Sequence, residues 1–165
     1  MDRENVTLRP FEAADLEQIL DTVTSSKVNQ TYMLPDYETR ADAIPLFQRL
    51  KNLSVDEAHF VRCIDMNGTA IGFLNDVEIE NGTIELGYVI HPDHHNRGYM
   101  TAALKLAIGD LFERGYTTVI CGAFEENKAS QRVMEKSGMV RVEKTEVISY
   151  RGLDRQCVYY EIRKE

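Results

Sequence analysis

Thr83-Ile84-Glu85-Leu86-Gly87-Tyr88-Val89-Ile90, running into His91-Pro92-Asp93-His94-His95-Asn96-Arg97-Gly98-Tyr99-Met100-Thr101, decides how this chain folds. The first part reads as a strand that Pro92 stops. From Gly98 to Arg114 the period changes, and Leu104, Ala107, Ile108 and Leu111 share one helical face, with Gly115 just past its end. Thr117 to Ala123 is apolar and β-branched, hence a second strand. Strand, helix and strand at this length make a βαβ unit, with two parallel strands and a right-handed crossover. The loop after Ile90 then lies at the C-terminal end of a parallel strand, a favoured place for a ligand.

Outward from this unit the pattern is antiparallel. Ala58 to Asp65 and Thr69 to Ile79 are strands joined at Asn67-Gly68, and Asn81-Gly82 turns the second of them into Thr83. Val6 to Arg9 is a short strand ended by Pro10. Leu16, Ile19, Leu20 and Val23 make Ala13 to Val23 an amphipathic helix. Ala43, Leu46, Phe47 and Leu50 do the same for Arg40 to Leu53, with Pro45 drawing the start toward Ile44. Between them Ser25 to Tyr37 is polar and irregular, and Pro35 argues against a continuous helix. Downstream, Lys128 to Ser137 is a helix closed by Gly138. Val140 to Ser149 and Gln156 to Ile162 form a closing hairpin around Arg151-Gly152-Leu153-Asp154. The expected fold is α/β of the α+β kind, a single domain over residues 1–165. Its sheet is mixed and mostly antiparallel, with six to seven strands, about four flanking helices and the parallel βαβ unit in the middle.

Composition narrows the function. The 43% hydrophobic content supplies a sizeable core, so disorder is excluded. With 19 Lys and Arg against 27 Asp and Glu, the chain has no bulk attraction for nucleic acid or anionic membrane; the acidity is compatible with a cationic partner, with plain solubility as the commoner reason for such a balance. Cys63, Cys121 and Cys157 are odd in number and far apart, without a CxxC pair, which argues against a disulfide framework or zinc knuckle. The first residues, MDRENVTLRP, carry no export signal, and no apolar run reaches a membrane span, so a cytoplasmic protein is expected.

The loop after Ile90 turns at Gly98 and enters a helix, leaving the first helical N–H groups unpaired at the positive end of the dipole. Such an end binds phosphate or pyrophosphate, and Arg97 adds a positive charge. The loop is neither GxxxxGK[ST] nor GxGxxG, which excludes a nucleotide-hydrolysing P-loop and a Rossmann site. An ordinary connection is the alternative reading. His91, Asp93, His94 and His95 share one short loop without a distant ligand, so no metal is expected.

The order strand, HNRGYMTAA, helix, strand, NKASQRVMEKSGM resembles the GCN5-related N-acetyltransferases, especially the branch that acetylates the N-termini of ribosomal proteins. Thr7-Leu8-Arg9-Pro10-Phe11, Ile71-Gly72, Glu85-Leu86-Gly87-Tyr88 and Tyr150-Arg151-Gly152 extend the resemblance over almost the whole chain. It implies acetyl-CoA as cosubstrate, held in a V-shaped notch between the two parallel strands. The family's pyrophosphate motif falls on His95, Asn96, Arg97, Gly98, Tyr99 and Met100, with Thr101 following. Only Gly98 matches strictly, since His95 replaces Gln or Arg and Met100 replaces a small residue. Tyr88, Val89 and Ile90 match the strand edge along the pantetheine arm, where a backbone N–H near Val89 or Ile90 polarises the thioester carbonyl. Asn127 and Ser130 match an Asn-x-x-Ser element that contacts the same arm. Many members carry a tyrosine acid at the position of Met134, and Ser130 is the implied substitute.

Acetyl transfer requires a neutral amine, and Glu85 is the first candidate to take its proton, with a solvent-facing strand carboxylate as the alternative. Tyr88 is a weaker candidate for orienting substrate. Arg132 and Lys128 are expected near the cofactor's phosphates. The acceptor is set by Ser25 to Arg40 and the closing hairpin, where Asp36, Glu38 and Asp154 suit a basic peptide or polyamine. A ribosomal-protein N-terminus leads, with a small amine, antibiotic or amino acid next. The protein is expected to act as a monomer or homodimer. A non-catalytic acyl-CoA-binding module and a nucleotide-binding regulator remain open as other classes.

Overall fold

The computed structural model describes residues 5–165. Residues 1–4, which open the stretch read as lacking an export signal, lie outside the described residues. Seven strands form one sheet in the order β1-β2-β3-β4-β5-β7-β6. They are β1 (Val6–Arg9), β2 (Val61–Met66), β3 (Thr69–Glu80), β4 (Thr83–Ile90), β5 (Thr118–Phe124), β6 (Val140–Tyr150) and β7 (Leu153–Arg163). All neighbours are antiparallel except β4 and β5. Both Asn-Gly turns are present, with positive φ at each residue as a tight two-residue hairpin requires.

The helices are α1 (Leu16–Val23), α2 (Ser26–Thr31), α3 (Ile44–Leu53), α4 (Tyr99–Glu113) and α5 (Lys128–Lys136). The first and second predicted helices each open with a tight turn, Ala13–Asp15 and Arg40–Ala43, before the α-helix begins. Helix α3 starts at Ile44 because Pro45 fits the first turn and nowhere later. Two expectations change. Helix α2 lies inside Ser25–Tyr37, where irregular chain was expected, because Ser25 is extended and Val28 is buried, which anchors one short turn. The closing hairpin turns on Arg151-Gly152 alone, so β7 begins at Leu153.

The sheet divides two apolar layers. Helices α4 and α5 cover one face, where Ile84, Leu86 and Ile90 of β4 meet Leu104, Ile108 and Leu111. On the other face α1, α2 and α3 cover β2 and β3 around Phe47, Phe73 and Val89. A smaller cluster of Phe124, Cys157 and Tyr159 lies under β6. Alternation along β4 therefore sends Ile84, Leu86, Tyr88 and Ile90 toward α4 and α5, and Glu85, Gly87 and Val89 the other way. Among the described residues no helix is long and apolar enough to cross a membrane.

Candidate active site

Strands β4 and β5 pair only over Thr83–Leu86 with Thr118–Cys121. Beyond that point β3 still holds β4, and β7 still holds β5 as far as Phe124. Each strand keeps its outer neighbour and loses its inner one, so backbone polar groups face each other across a gap. The gap opens into a cleft of about 840 Å³, lined by Tyr88, Val89, Ile90, His94, His95, Asn96, Gly98 and both walls beyond.

One wall is the loop into α4. His95 Nε2 lies 2.9 Å from the carbonyl oxygen of Ile90, which ties the loop back to the strand it leaves. Gly98 has φ 80, and α4 begins directly after it with neither a side-chain cap nor an acidic residue in its first turn. The N–H groups of Tyr99, Met100 and Thr101 precede the first helical hydrogen bond, which Ala102 donates to Gly98. The side chains of Tyr99 and Met100 are buried in the core, so these positions offer the cleft backbone. A buried Nδ1 of His94 has no hydrogen-bond partner among the described residues. Burial, and then His91 and Arg97, lower the pKa of that ring, which favours its neutral form. Arg97 differs from expectation. It is exposed and does not line the cleft, so the loop presents backbone N–H groups to the cleft rather than that guanidinium.

The other wall is the start of α5. Asn127 Oδ1 accepts from the N–H of Ser130 at 3.2 Å, which caps the helix and fixes where Ser130 points. Ser130 Oγ is 2.7 Å from the hydroxyl of Tyr88, and that hydroxyl also donates to the carbonyl oxygen of Ser130 at 3.1 Å. Tyr88 therefore bridges from β4 to α5. Met134 is fully buried in the core and does not line the cleft. Arg132 lines the cleft, whereas Lys128 is exposed and does not.

Behind the notch lies an acidic face that the sequence reading missed apart from Glu85. A bulge between Asp76 and Glu78 shifts the register of β3 and sets Glu78 directly opposite Glu85. Such bulges re-aim side chains beside functional sites. Lys144, Glu146 and Ile148 enter from β6, and Tyr159 of β7 donates its hydroxyl hydrogen to Glu146. Tyr32 of the segment after α2 donates to Asn75 at 2.7 Å. Burial raises the pKa of Glu85, Lys144 lowers it, and Glu78 and Glu146 raise it further, so the net shift is upward. Strand parity groups Lys144, Glu146 and Ile148 in the sequence, but nothing there shows that β7 inserts beside β5. Asp36, Glu38 and Asp154 do not line the cleft, and Asp36 pairs with Arg151 at 2.5 Å.

Among the described residues no group of three or more His, Cys, Asp or Glu is disposed to hold a metal ion. Known proteins share this fold. The uncharacterised N-acetyltransferase YoaA of Bacillus subtilis (strain 168) is 24% identical over 144 residues, 84% of this chain and 81% of that protein. YjdG of the same organism, also named an uncharacterised N-acetyltransferase, is 34% identical over 70 residues, 42% of this chain and 41% of that protein. The fold matches a GNAT-family acetyltransferase from Bacillus anthracis with TM-score 0.82 at 23% identity, over 96% of this chain and 95% of that one. It also matches a spermidine N-acetyltransferase from Vibrio cholerae in complex with CoA and spermine, with TM-score 0.80 at 19% identity, over 97% and 96%. At these identities the structural likeness is one of fold. The family model for the acetyltransferase (GNAT) domain matches residues 5–140. That match runs from the first strand past both walls of the notch, and the chain belongs to the GNAT acetyltransferase family.

Proposed function

We propose that the cleft takes acetyl-CoA and passes its acetyl group to the primary amine of a small cationic molecule. The parting of β4 and β5 beside an uncapped helix start, with an acidic face behind it, carries this reading. The free N–H groups of Tyr99, Met100 and Thr101 suit a pyrophosphate, and the open edge of β4 suits the amides of a pantetheine arm. The partnerless Nδ1 of His94 is a further polar group for the same ligand. Acetyl-CoA supplies the activated acetyl thioester, and the chain supplies the rest. A backbone N–H of Val89 or Ile90 is the donor offered to the thioester carbonyl. Asn127 and Ser130 stand beside the arm, and Glu85 accepts the amine's proton, directly or through water. Its raised pKa brings it nearer the range useful for that task.

Attack is direct, without an acetyl-enzyme. Burial pushes the Cys63 thiol up to about 12 and raises Cys121 and Cys157 as well, so each stays a poor nucleophile. An acetyl-cysteine trapped during turnover contradicts this step. Three free thiols suit a reducing compartment, and we place the reaction in the cytoplasm.

The acceptor reading rests on the strand face behind the notch, where Glu78, Glu85 and Glu146 stand with Lys144 alone, while the other cationic lining residues, Arg132 and Lys136, belong to α5. A cation is drawn there and an anion repelled. The relative that carries spermine is consistent with a polyamine as first choice. Thiol release from acetyl-CoA, measured across polyamines, amino-acid amides, an aminoglycoside and peptides with ribosomal-protein N-termini, tests this. The expected result is fastest release with a small polycation. Faster release with the peptides returns the acceptor to the ribosomal branch.

A further inference from the structure

Tyr88 has no role in the scheme above, yet its hydroxyl touches Ser130, the residue that the family resemblance offers in place of a tyrosine acid. It reaches Ser130 Oγ at 2.7 Å and the Ser130 carbonyl oxygen at 3.1 Å. A phenol has a single hydrogen, so these two contacts are alternatives. With the phenol hydrogen on the carbonyl oxygen, the serine hydrogen points back at the phenol oxygen. With the phenol hydrogen on Oγ, the serine hydrogen is released toward the cleft. Burial raises the Tyr88 pKa far above its ordinary value, with Cys121 adding to the rise, so Tyr88 remains a neutral donor in both arrangements. Asn127 caps the same turn of α5 and limits the swing of Ser130. Met134 is buried in the core at 0% exposure, so the cleft has no acid from that position.

We propose that Tyr88 is a positioning residue that turns the Ser130 hydroxyl into a hydrogen-bond donor for the departing CoA thiolate. The inference rests on the acetyl-transfer reading above. The acceptor nitrogen forms the new C–N bond with its lone pair, and the C–S bond breaks with its electron pair going to sulfur. As charge gathers there, the phenol hydrogen swings from the Ser130 carbonyl oxygen to Ser130 Oγ, and the Ser130 hydrogen swings to sulfur. Neither hydroxyl gives up its proton. The amine's proton goes to Glu85, and the thiolate takes its own proton from water on release. Two rotating hydroxyls thus serve without the tyrosine acid that the family resemblance places at Met134.

The test is the pH dependence of CoA binding, compared with desulfo-CoA, which lacks the thiol. In the unchanged protein CoA gains affinity relative to desulfo-CoA as pH rises through thiol ionisation, because the pair favours the thiolate. That gain falls by about tenfold in Tyr88→Phe and in Ser130→Ala, and is largely restored in Ser130→Thr, which keeps the hydroxyl. Turnover follows, with kcat in Tyr88→Phe about tenfold lower and KM for acetyl-CoA within about twofold. The double variant loses little more than either single one, since both act through one hydrogen bond. Tyr88→Phe keeps the ring, and thermal melting shows whether the fold is retained. Should Tyr88→Phe melt early, Ser130→Ala and Ser130→Thr alone decide the matter. Equal pH profiles for CoA and desulfo-CoA in the unchanged protein overturn the inference while leaving acetyl transfer intact. Failure of both ligands to bind overturns the acetyl-transfer reading itself.

Discussion

The two halves of β4 share a strand and differ in their neighbours. Thr83–Leu86 has β3 on one side and β5 on the other, whereas Gly87–Ile90 keeps β3 alone. In the first half the inward residues, Ile84 and Leu86, are core, and the backbone is spent on two ladders. In the second half Gly87 faces the cleft, Tyr88 crosses to α5, and one backbone edge is open. A fully paired stretch and an open edge thus sit side by side on one strand, and the border between them is the point where the parallel ladder ends. An edge left open inside a protein is a binding device only if something rigid holds it open. Here β3 and β7 do so from outside, and the loop into α4 is pinned by His95 on Ile90.

Breaking the open half at the start of α4 has the largest expected effect. Gly98 occupies φ 80, and Gly98→Glu adds backbone strain and sets a carboxylate against the helix start. Affinity for acetyl-CoA, read by calorimetry, falls by at least about a hundredfold, while the sheet, read by circular dichroism, is retained.

Next comes Glu85, on the paired half but aimed at the cleft. Glu85→Gln lowers kcat by about a hundredfold with acetyl-CoA binding unchanged. The pH–rate profile of the unchanged protein rises as Glu85 loses its proton, at a pH above the ordinary carboxyl range because burial raises its pKa. That limb is absent in the variant. Stability moves the opposite way. A raised carboxyl contributes stability below its unfolded pKa and loses it as pH rises through the folded one. Denaturant unfolding at neutral pH therefore shows Glu85→Gln no less stable than its parent.

Gly72 sharpens the contrast from the far side. A Cβ built there meets the carbonyl oxygen of Val89 at 2.2 Å and the Cα of Ile90 at 2.8 Å. Gly72→Ala forces the open half of β4 away from β3 and costs about 1–3 kcal/mol. Thermal unfolding reads the cost, and acetyl-CoA affinity falls with it.

The sequence makes the paired half easy to read and the open half only partly so. The hairpins at Asn67-Gly68 and Asn81-Gly82 and the helix from Gly98 are local matters of turn chemistry and period, and they appear where expected. The loop from His91 to Gly98 is local too, so its place at the notch was legible. Three features were not, because each depends on distant chain. The insertion of β7 between β5 and β6 brings Glu146 and Tyr159 to the cleft. The bulge after Asp76 brings Glu78 opposite Glu85, with Asp76 Oδ1 accepting from Phe60 N and the backbone N–H of Asp76 donating to the Phe60 carbonyl oxygen. The contact of Tyr88 with Ser130 joins positions 42 residues apart. Arg97 and Asp36 mislead for the converse reason, since charge in a sequence does not say which way a side chain points.

Amide hydrogen exchange along β4, with and without saturating acetyl-CoA, tests the central claim most directly. The account predicts added protection at the open half, Gly87 to Ile90, and at the Tyr99–Thr101 amides, with Thr83–Leu86 unchanged. Protection confined to other strands, or spread evenly over β4, contradicts it.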